Sequence, residues 1–430
     1  MNDQERHSEQ PELSRRLSTG DAVVIGLGSM LGAGVFAAFG PAARAAGAGL
    51  LVGLAIAAAV AYCNATASAQ LAAVYPTSGG TYIYGRERLG PWWGFAAGWG
   101  FLVGKTASCA AMALTVASYA LPGPWWAQRI VAVAAVVGLT ALNYRGITKT
   151  AMLARILVAC TLVALVAVVA GIAIGGVQLA NLSGPHAWSS VTAYGILQSA
   201  GLLFFAFAGY ARIATMGEEV RDPARAIPRA IIAALGIAVV VYLVVGVAVL
   251  LAAGPERLAR SAAPLAEALR AAGAAQLVPV VAVGGILASL GALLALIAGI
   301  GRTTLAMARH RDLPGWLGGV HPRYHVPHHA EIALGAVVCV LAATVDLRGV
   351  IGFSSFGVLI YYAIANASAY TQPPSHRHWP RVLNVCGVVG CLVLVATLPW
   401  QSVVVGLGVF VIGLTGRAIA SRFVKGPRPG

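Results

Sequence analysis

The stretch GLGSMLGAGVFAAFG, residues Gly26–Gly40, decides the fold of this 430-residue chain. It lies in the first long apolar run, yet five of its fifteen residues are glycine, which disfavours a plain helix interior. One interpretation is close helix packing through small residues. The other is an unwound segment, which a bilayer tolerates only where the backbone lines a cavity. The free N–H groups of the following half-helix would then bind an anion such as a carboxylate.

A second interruption lies in the sixth apolar run, in FFAFAGYARIATMG, residues Phe204–Gly217, where Gly209 stands beside aromatic residues. One glycine alone is a weak signal. Two interrupted runs five runs apart are stronger evidence, because an inverted repeat of runs 1–5 and 6–10 predicts that spacing. Such a repeat places a substrate site near the middle of the membrane, between two pairs of half-helices. The pattern predicts a broken-helix transporter.

The composition of the whole chain indicates a membrane protein with many spans. Hydrophobic residues make up 59% of the chain, charged residues only 10%, and the mean hydropathy is +0.80. Soluble domains carry about 25% charged residues, so an ordinary cytosolic enzyme fits poorly. We expect an all-α membrane protein of twelve transmembrane helices, a 5+5 inverted repeat with broken helices 1 and 6, plus two C-terminal helices. The twelve apolar runs begin near Ala22, Leu50, Trp92, Ile130, Met152, Thr192, Ile227, Leu277, Ile332, Val350, Val382 and Val403.

The distribution of Lys and Arg predicts the orientation. With the N-terminus in the cytoplasm, the inner segments hold 22 of the 29 basic residues and the outer segments hold 6. We therefore expect cytoplasmic tails at 1–19 and 421–430 and a transmembrane domain at 20–420, in the plasma (inner) membrane. The net charge of +15 then reflects topology, and we expect lipid rather than nucleic acid as the partner.

Lys105 is the basic residue left over, and it lies near the centre of the third run. It is about 20 Å from the inner end of that helix, too far for its stem to reach the interface. A charge facing lipid would cost about 2.5–3.5 kcal/mol, so Lys105 should face the bundle interior. There it either titrates during transport or contacts substrate, or it bonds to carbonyls and holds spans together.

Several blocks of sequence resemble amino acid permeases of the amino acid–polyamine–organocation superfamily. Together they cover about residues 20 to 370, in order and at the spacing of that family. The resemblance implies a twelve-span fold with broken helices, alternating access, and a substrate with an α-carboxylate and an α-amine. The matching blocks are GLGSMLGAGVF (Gly26–Phe36), YPTSGGTYIYGRERLGP (Tyr75–Pro91), LNYRGI (Leu142–Ile147), FFAFAGY with GEEVRDPARAIPRAI (Phe204–Ile231), and RTTLAMARHRDLPGWLGGVHPRYHVP (Arg302–Pro327).

The resemblance also implies which residues meet the substrate. Met30 and Phe207 would lie beside it. Backbone N–H groups of the first break would bind the carboxylate, namely those of Gly32, Ala33 and Gly34. Backbone carbonyl groups of the sixth span would bind the amine, namely those of Phe205, Ala206 and Ala208.

Two positions depart from the pattern of the family. Where many members carry Glu in span six, this chain has Ala211, followed by Arg212. Where many proton-coupled members carry Lys in span five, it has Thr161. The coupling ion is left open between H⁺, through Lys105, and Na⁺, bound by carbonyls and hydroxyls with Thr161 and Ser289 as candidates. Arg212 either snorkels to the interface or forms a gate with Asp21 or Glu218.

We expect a secondary transporter, because the ATP-binding pattern GxxxxGK[ST] does not occur in the chain. Neutral amino acids are the expected substrates, since no acidic residue at a span centre favours a cationic side chain. The alternatives are a polyamine or amine permease, or an exporter or exchanger of the same fold, so symport and antiport both stay open. We expect no enzyme activity, cofactor or metal, because the spans hold no nucleophile, metal or acid–base constellation.

Overall fold

The computed structural model describes residues 17–76, 79–121, 123–145, 151–184, 188, 191–217, 219–324 and 326–424. Over these ranges the chain is helical and contains no β-sheet, although an isolated bridge joins Leu17 to Val220. Within the same ranges, ten helical segments are long and apolar enough to cross a membrane, and two more apolar helices have 17 residues each. The prediction of an all-α, multi-pass membrane protein is confirmed.

The helices begin close to where the sequence placed them, within five residues of each predicted start. Helices α1–α9 are Thr19–Met30, Ala33–Ala37, Phe39–Ala46, Leu50–Val74, Thr81–Leu89, Pro91–Ala120, Trp125–Tyr144, Ala151–Gly175 and Ala180–Ser183. Helices α10–α18 are Ala193–Phe207, Ala211–Ala214, Pro223–Arg260, Pro264–Ala271, Val278–Arg309, His328–Thr344, Leu347–Tyr370, Arg381–Thr397 and Trp400–Val424. Short 3₁₀ helices occupy Gly47–Gly49, Ala208–Tyr210, Ala275–Leu277, Gly315–Gly318 and Pro374–His376.

The first span is broken between α1 and α2. Helix α1 starts at a capping box, in which Ser18 and Asp21 each accept a hydrogen bond from the backbone N–H of the other. It ends at Met30, and Gly32 leaves the helical region with φ −83° and ψ −141°. Ala38 keeps helical angles, so α2 and α3 together form a second half-helix over residues 33–46. The N–H groups of its first turn have no partner within the helix.

The sixth span is interrupted more weakly than the sequence suggested. A single 3₁₀ turn, Ala208–Tyr210, joins α10 to α11, so the segment is tightened rather than unwound. Close packing requires glycine at position 209, because a β-carbon there would overlap the carbonyl of Ser29 and the nitrogen of Met30. The glycine therefore lets the sixth span cross the first span at its break.

Helix α6 runs through the middle of the bundle, between α14 and α16, and most of its residues are buried. Lys105 lies on this helix and is only 5% exposed, which confirms that it faces the interior. Helices α7 and α18 lie at the periphery, where most of their residues are not covered by protein.

Candidate functional site

A cavity of about 630 Å³ lies where the first and sixth spans cross. Residues of both breaks line it, together with the middle of α6 and one face of α14. From the breaks it extends to Leu17, Glu219 and Arg302, which mark the end of the bundle where α1 begins. On the far side of the breaks the Tyr119 hydroxyl donates to the carbonyl oxygen of Phe36 at 2.8 Å, and the two rings pack edge to face.

Most of the predicted substrate residues line this cavity. They include the three residues whose N–H groups were predicted to bind the carboxylate and two of the three whose carbonyls were predicted to bind the amine. They also include the two predicted residues with a positively charged side chain. They are Met30, Gly32, Ala33, Gly34, Lys105, Phe205, Ala208 and Arg212. Ala206 and Phe207 do not line the cavity; both are buried behind its wall.

Tyr242 on α12 contacts both Ala206 and Phe207 behind the wall of the cavity. Its hydroxyl lies 2.6 Å from the carbonyl oxygen of Met30 and 2.9 Å from that of Ala206, and it donates to one of them at a time. Its ring packs edge to face against Phe207, with ring centroids 5.0 Å apart. Tyr242 thus joins the two breaks from behind. Our sequence reasoning missed it, although a lone hydroxyl in a long apolar run was a usable signal.

Lys105 contacts the sixth span at its interruption. Its Nζ donates to the carbonyl oxygen of Ala208 at 2.9 Å, and the Tyr362 hydroxyl lies 3.4 Å from the same oxygen. Among the described residues Lys105 takes part in no ion pair. The cavity therefore has a protonatable amine in its lining, hydrogen-bonded to a carbonyl that the sequence analysis assigned to the substrate.

Arg212 does not pair with Asp21. The Asp21 carboxylate instead bonds to Ser18 and forms an ion pair with Arg155 of α8. The Arg212 guanidinium is 3.4 Å from the Thr215 hydroxyl, and nearby Arg302 pairs with Glu219 at 3.8 Å. In this structure the capping box holds the Asp21 carboxylate at the start of α1, where Arg155 reaches it, and the gate hypothesis stays a prediction. Glu218, the other predicted partner, lies outside the described residues.

The two hydroxyl candidates for a cation site do not line the main cavity. Thr161 lines a smaller cavity of about 230 Å³, where its hydroxyl donates to the carbonyl of Leu157 at 2.8 Å. This cavity adjoins the larger one, and the two share six lining residues, among them Ser29, Arg212 and Glu219. Ser289 is fully buried in α14 and lines neither cavity, and its hydroxyl has no hydrogen-bond partner among the described residues.

A bundle of long apolar helices around a partly polar cavity, built at a helix break, is the architecture of a membrane transporter. Comparison with known families supports this class. The model of the amino acid permease family matches residues 17–415. The chain belongs to that family, within the amino acid–polyamine–organocation superfamily.

Individual relatives extend over nearly the whole chain. An uncharacterized transporter of Mycobacterium tuberculosis is 61% identical over 412 residues, 95% of this chain and 92% of the relative. The branched-chain amino acid permease BcaP of Bacillus subtilis is 26% identical and is matched over 96% of this chain and 95% of its own length. The methylthioribose transporter of the same species is also 26% identical, over 94% of this chain and 93% of its own.

Proposed function

We propose that this protein is a secondary active transporter that moves neutral amino acids across the plasma membrane by alternating access. The observation that carries the proposal is the cavity at the crossing of the two interrupted spans, where backbone N–H and C=O groups meet. Family membership supports the general activity, and the name of BcaP supports the choice of amino acids.

The backbone around the cavity supports the proposed binding mode. The substrate carboxylate would bind the N–H groups of Gly32, Ala33 and Gly34, at the positive end of the second half-helix. The amine would bind the carbonyls of Phe205 and Ala208, which line the cavity. The third carbonyl, Ala206, would join only if Tyr242 turned its hydroxyl to Met30.

The side chains around the cavity support a neutral substrate. Near the breaks the lining is apolar, with Met30, Phe101, Met112 and Phe205 as its large side chains. Among the described lining residues Glu219 is the only carboxylate, and it faces Arg302. A cationic side chain or a polyamine would meet Lys105 and two arginines, and the one described carboxylate of the lining is already paired, which disfavours that alternative.

We further propose that all twelve apolar helices or helix pairs cross the membrane, as a 5+5 inverted repeat followed by α17 and α18. Both tails would lie in the cytoplasm, as the basic residues indicate. The cavity would then open toward the cytoplasm, and alternating access would close it there and open the Tyr119 side. The coupling ion would be H⁺ through Lys105 or Na⁺ near Thr161 and Ser289, with Arg212 at the inner gate.

The test is uptake of radioactive L-leucine into proteoliposomes, with each common amino acid as a cold competitor. Proton and sodium gradients are applied separately. We expect competition by neutral amino acids and dependence on one gradient, or on internal amino acid for an exchanger. If only compounds that lack a carboxylate compete, the assignment of the N–H groups is wrong, and if nothing competes, the amino acid proposal fails.

A variant pair tests the carboxylate site. Ala33→Pro removes one N–H at the first residue of α2, a position where proline fits a helix. Trp125→Pro makes the same change at the first residue of α7, where the side chain is 71% exposed. We expect Ala33→Pro to weaken leucine binding about tenfold, the value of one charge-assisted hydrogen bond, while Trp125→Pro transports normally. Equal binding by both variants would contradict the site.

A further inference from the structure

Lys105 donates a hydrogen bond to the same acceptor that is proposed to bind the substrate amine, the carbonyl oxygen of Ala208. Lys105 Nζ lies 2.9 Å from the carbonyl oxygen of Ala208, inside the cavity and near the first break. The substrate amine is a primary ammonium of the same chemistry, so the two groups need the same hydrogen-bond geometry. This inference rests on the proposed function, because it requires an amino substrate.

The groups around Lys105 leave its charge uncompensated. Arg212 and Arg302 add positive charge to the same cavity, and Glu219 is already paired with Arg302. Cys109 stands one turn along α6 and is buried. The Tyr362 hydroxyl lies 3.4 Å from the same Ala208 oxygen, and the Tyr361 ring packs against the Tyr362 ring. The described carboxylates on helices packed against α6, Glu87 of α5 and Glu331 of α15, do not line the cavity. None of the described neighbours offers a carboxylate to neutralise a second ammonium.

Two ammonium groups cannot share one carbonyl oxygen at this depth, because their repulsion is weakly screened away from water. The substrate can leave the cavity, but Lys105 is bound covalently to α6 and cannot. Lys105 therefore relieves the repulsion by losing its proton, and it stays beside the substrate as a neutral amine. A neutral amine no longer repels the substrate ammonium, and it can accept a hydrogen bond from it.

We propose that the Lys105 ammonium is a built-in substitute for the substrate amine, which displaces it from the Ala208 carbonyl and thereby releases its proton. One N–H bond of Lys105 breaks, the electron pair stays on Nζ, and the proton passes to water in the cavity. When the substrate leaves, Nζ takes up a proton and returns to the carbonyl.

The direction of coupling follows from this exclusion. If substrate and proton bind alternately, the carrier brings a substrate into the cell and then returns to the outside with a proton on Lys105. Transport is then an exchange of one amino acid for one proton, and uptake is stimulated when the inside is more acidic than the outside. A carrier that binds both together shows the opposite preference.

Calorimetry of the purified full-length protein measures the released proton directly. L-Leucine is titrated at one pH in phosphate and in Tris, whose ionisation enthalpies differ, and the difference in heat gives the number of protons released. We expect about one proton per leucine, and leucine binding that tightens about tenfold per pH unit. 4-Methylpentanoate, which is leucine without the amine, should bind with no proton release.

Two substitutions at Lys105 separate this role from a structural one. Lys105→Met should bind leucine at least as tightly as the wild type, release no proton, and lose the pH dependence. Lys105→Arg keeps a permanent charge at the carbonyl and should weaken leucine binding at least tenfold at every pH. Thr106→Val, on the next residue of the same helix, should behave like the wild type, and thermal unfolding checks that each variant is folded.

The outcomes are distinct from those that test the proposed function. If no amino acid binds to the wild type or to Lys105→Met, the proposed function has failed. If leucine binds without proton release, or if Lys105→Met releases the same number of protons, the exclusion is wrong. Leucine uptake driven by an outside-acid gradient in the wild type would also overturn it.

Discussion

The backbone of Gly34 lies directly against that of Ala206: a β-carbon on Gly34 would stand 2.5 Å from the Cα of Ala206. The second half-helix of the first span therefore touches the sixth span with only the methyl group of Ala206 at the contact. Glycine is needed at position 34 for this contact, whereas Gly32 supplies the break. In the glycine-rich stretch, Gly34 thus serves close helix packing, and Gly32 serves the interruption of the helix.

Gly34→Ala should impair the crossing of the two spans. The added methyl group has no space, and overpacking of this kind costs about 1–3 kcal/mol. We expect a lower unfolding temperature in detergent and loss of leucine uptake in proteoliposomes. Gly236→Ala in α12 is the control, because nothing lies within 4 Å of a β-carbon there and alanine favours a helix. A Gly34→Ala protein with normal uptake and stability would show that the contact is not required.

Tyr242→Phe removes the hydroxyl that joins the two breaks. The carbonyls of Met30 and Ala206 then lose a buried donor, which costs about 1–3 kcal/mol for a group left unsatisfied. We expect lower thermal stability and a reduced maximal rate of leucine uptake, since the first break is less firmly held. Tyr62→Phe, at a residue 43% exposed, should change neither quantity. Faster uptake by Tyr242→Phe would instead indicate that the hydroxyl restrains transport.

The sequence predicted the helices and the environment of Lys105 because each follows from local composition. Apolar runs must cross the bilayer or be buried, and a mid-span lysine must turn inward. The partner of Lys105 could not be predicted in the same way. Its bond to Ala208 depends on how α6 packs beside the sixth span, which is a long-range contact.

Asp21 has a partner in the structure that the sequence analysis did not predict. A carboxylate and a guanidinium near the same membrane boundary suggested a gate between Asp21 and Arg212. The local capping box holds Asp21 at Ser18, and Arg155 reaches it from another span. A capping signal, serine followed three residues later by an acid, was present in the sequence and was the better guide.

A double-mutant cycle tests whether Asp21 is coupled to Arg155 or to Arg212. Asp21→Asn and Arg155→Gln should show a coupling free energy of about 0.2–1 kcal/mol, the range of partly exposed ion pairs, since the Arg155 side chain is 57% exposed. Asp21→Asn with Arg212→Gln should be additive within error. The measurement is the free energy of unfolding in mixed micelles. Coupling of Asp21 to Arg212 that exceeds its coupling to Arg155 would support the gate hypothesis.

Asp312 binds the last helix to the body of the protein. Its carboxylate accepts hydrogen bonds from Arg417 of α18 at 2.8 Å, Arg86 of α5 at 3.2 Å, and the Tyr82 hydroxyl at 2.8 Å. Burial, together with this hydrogen bond to the carboxylate, raises the pKa of Tyr82, so the phenol stays a donor at every physiological pH. The Arg417 guanidinium also stacks over Trp92 and Phe95. Helix α18 is otherwise peripheral, so this cluster is its main polar attachment among the described residues.

Asp312→Asn keeps the shape of this side chain but removes its charge. Two arginines then face each other without a counter-ion, and breaking a buried pair in this way costs about 3–5 kcal/mol. We expect the free energy of unfolding in mixed micelles to fall by that order, and the double variant Asp312→Asn with Arg417→Gln to recover part of the loss. Glu267→Gln is the control, because its pair with Arg270 is exposed and worth about 0–1 kcal/mol. If the Asp312 and Glu267 variants unfold alike, the cluster does not hold α18, and the apolar face of that helix must do so instead.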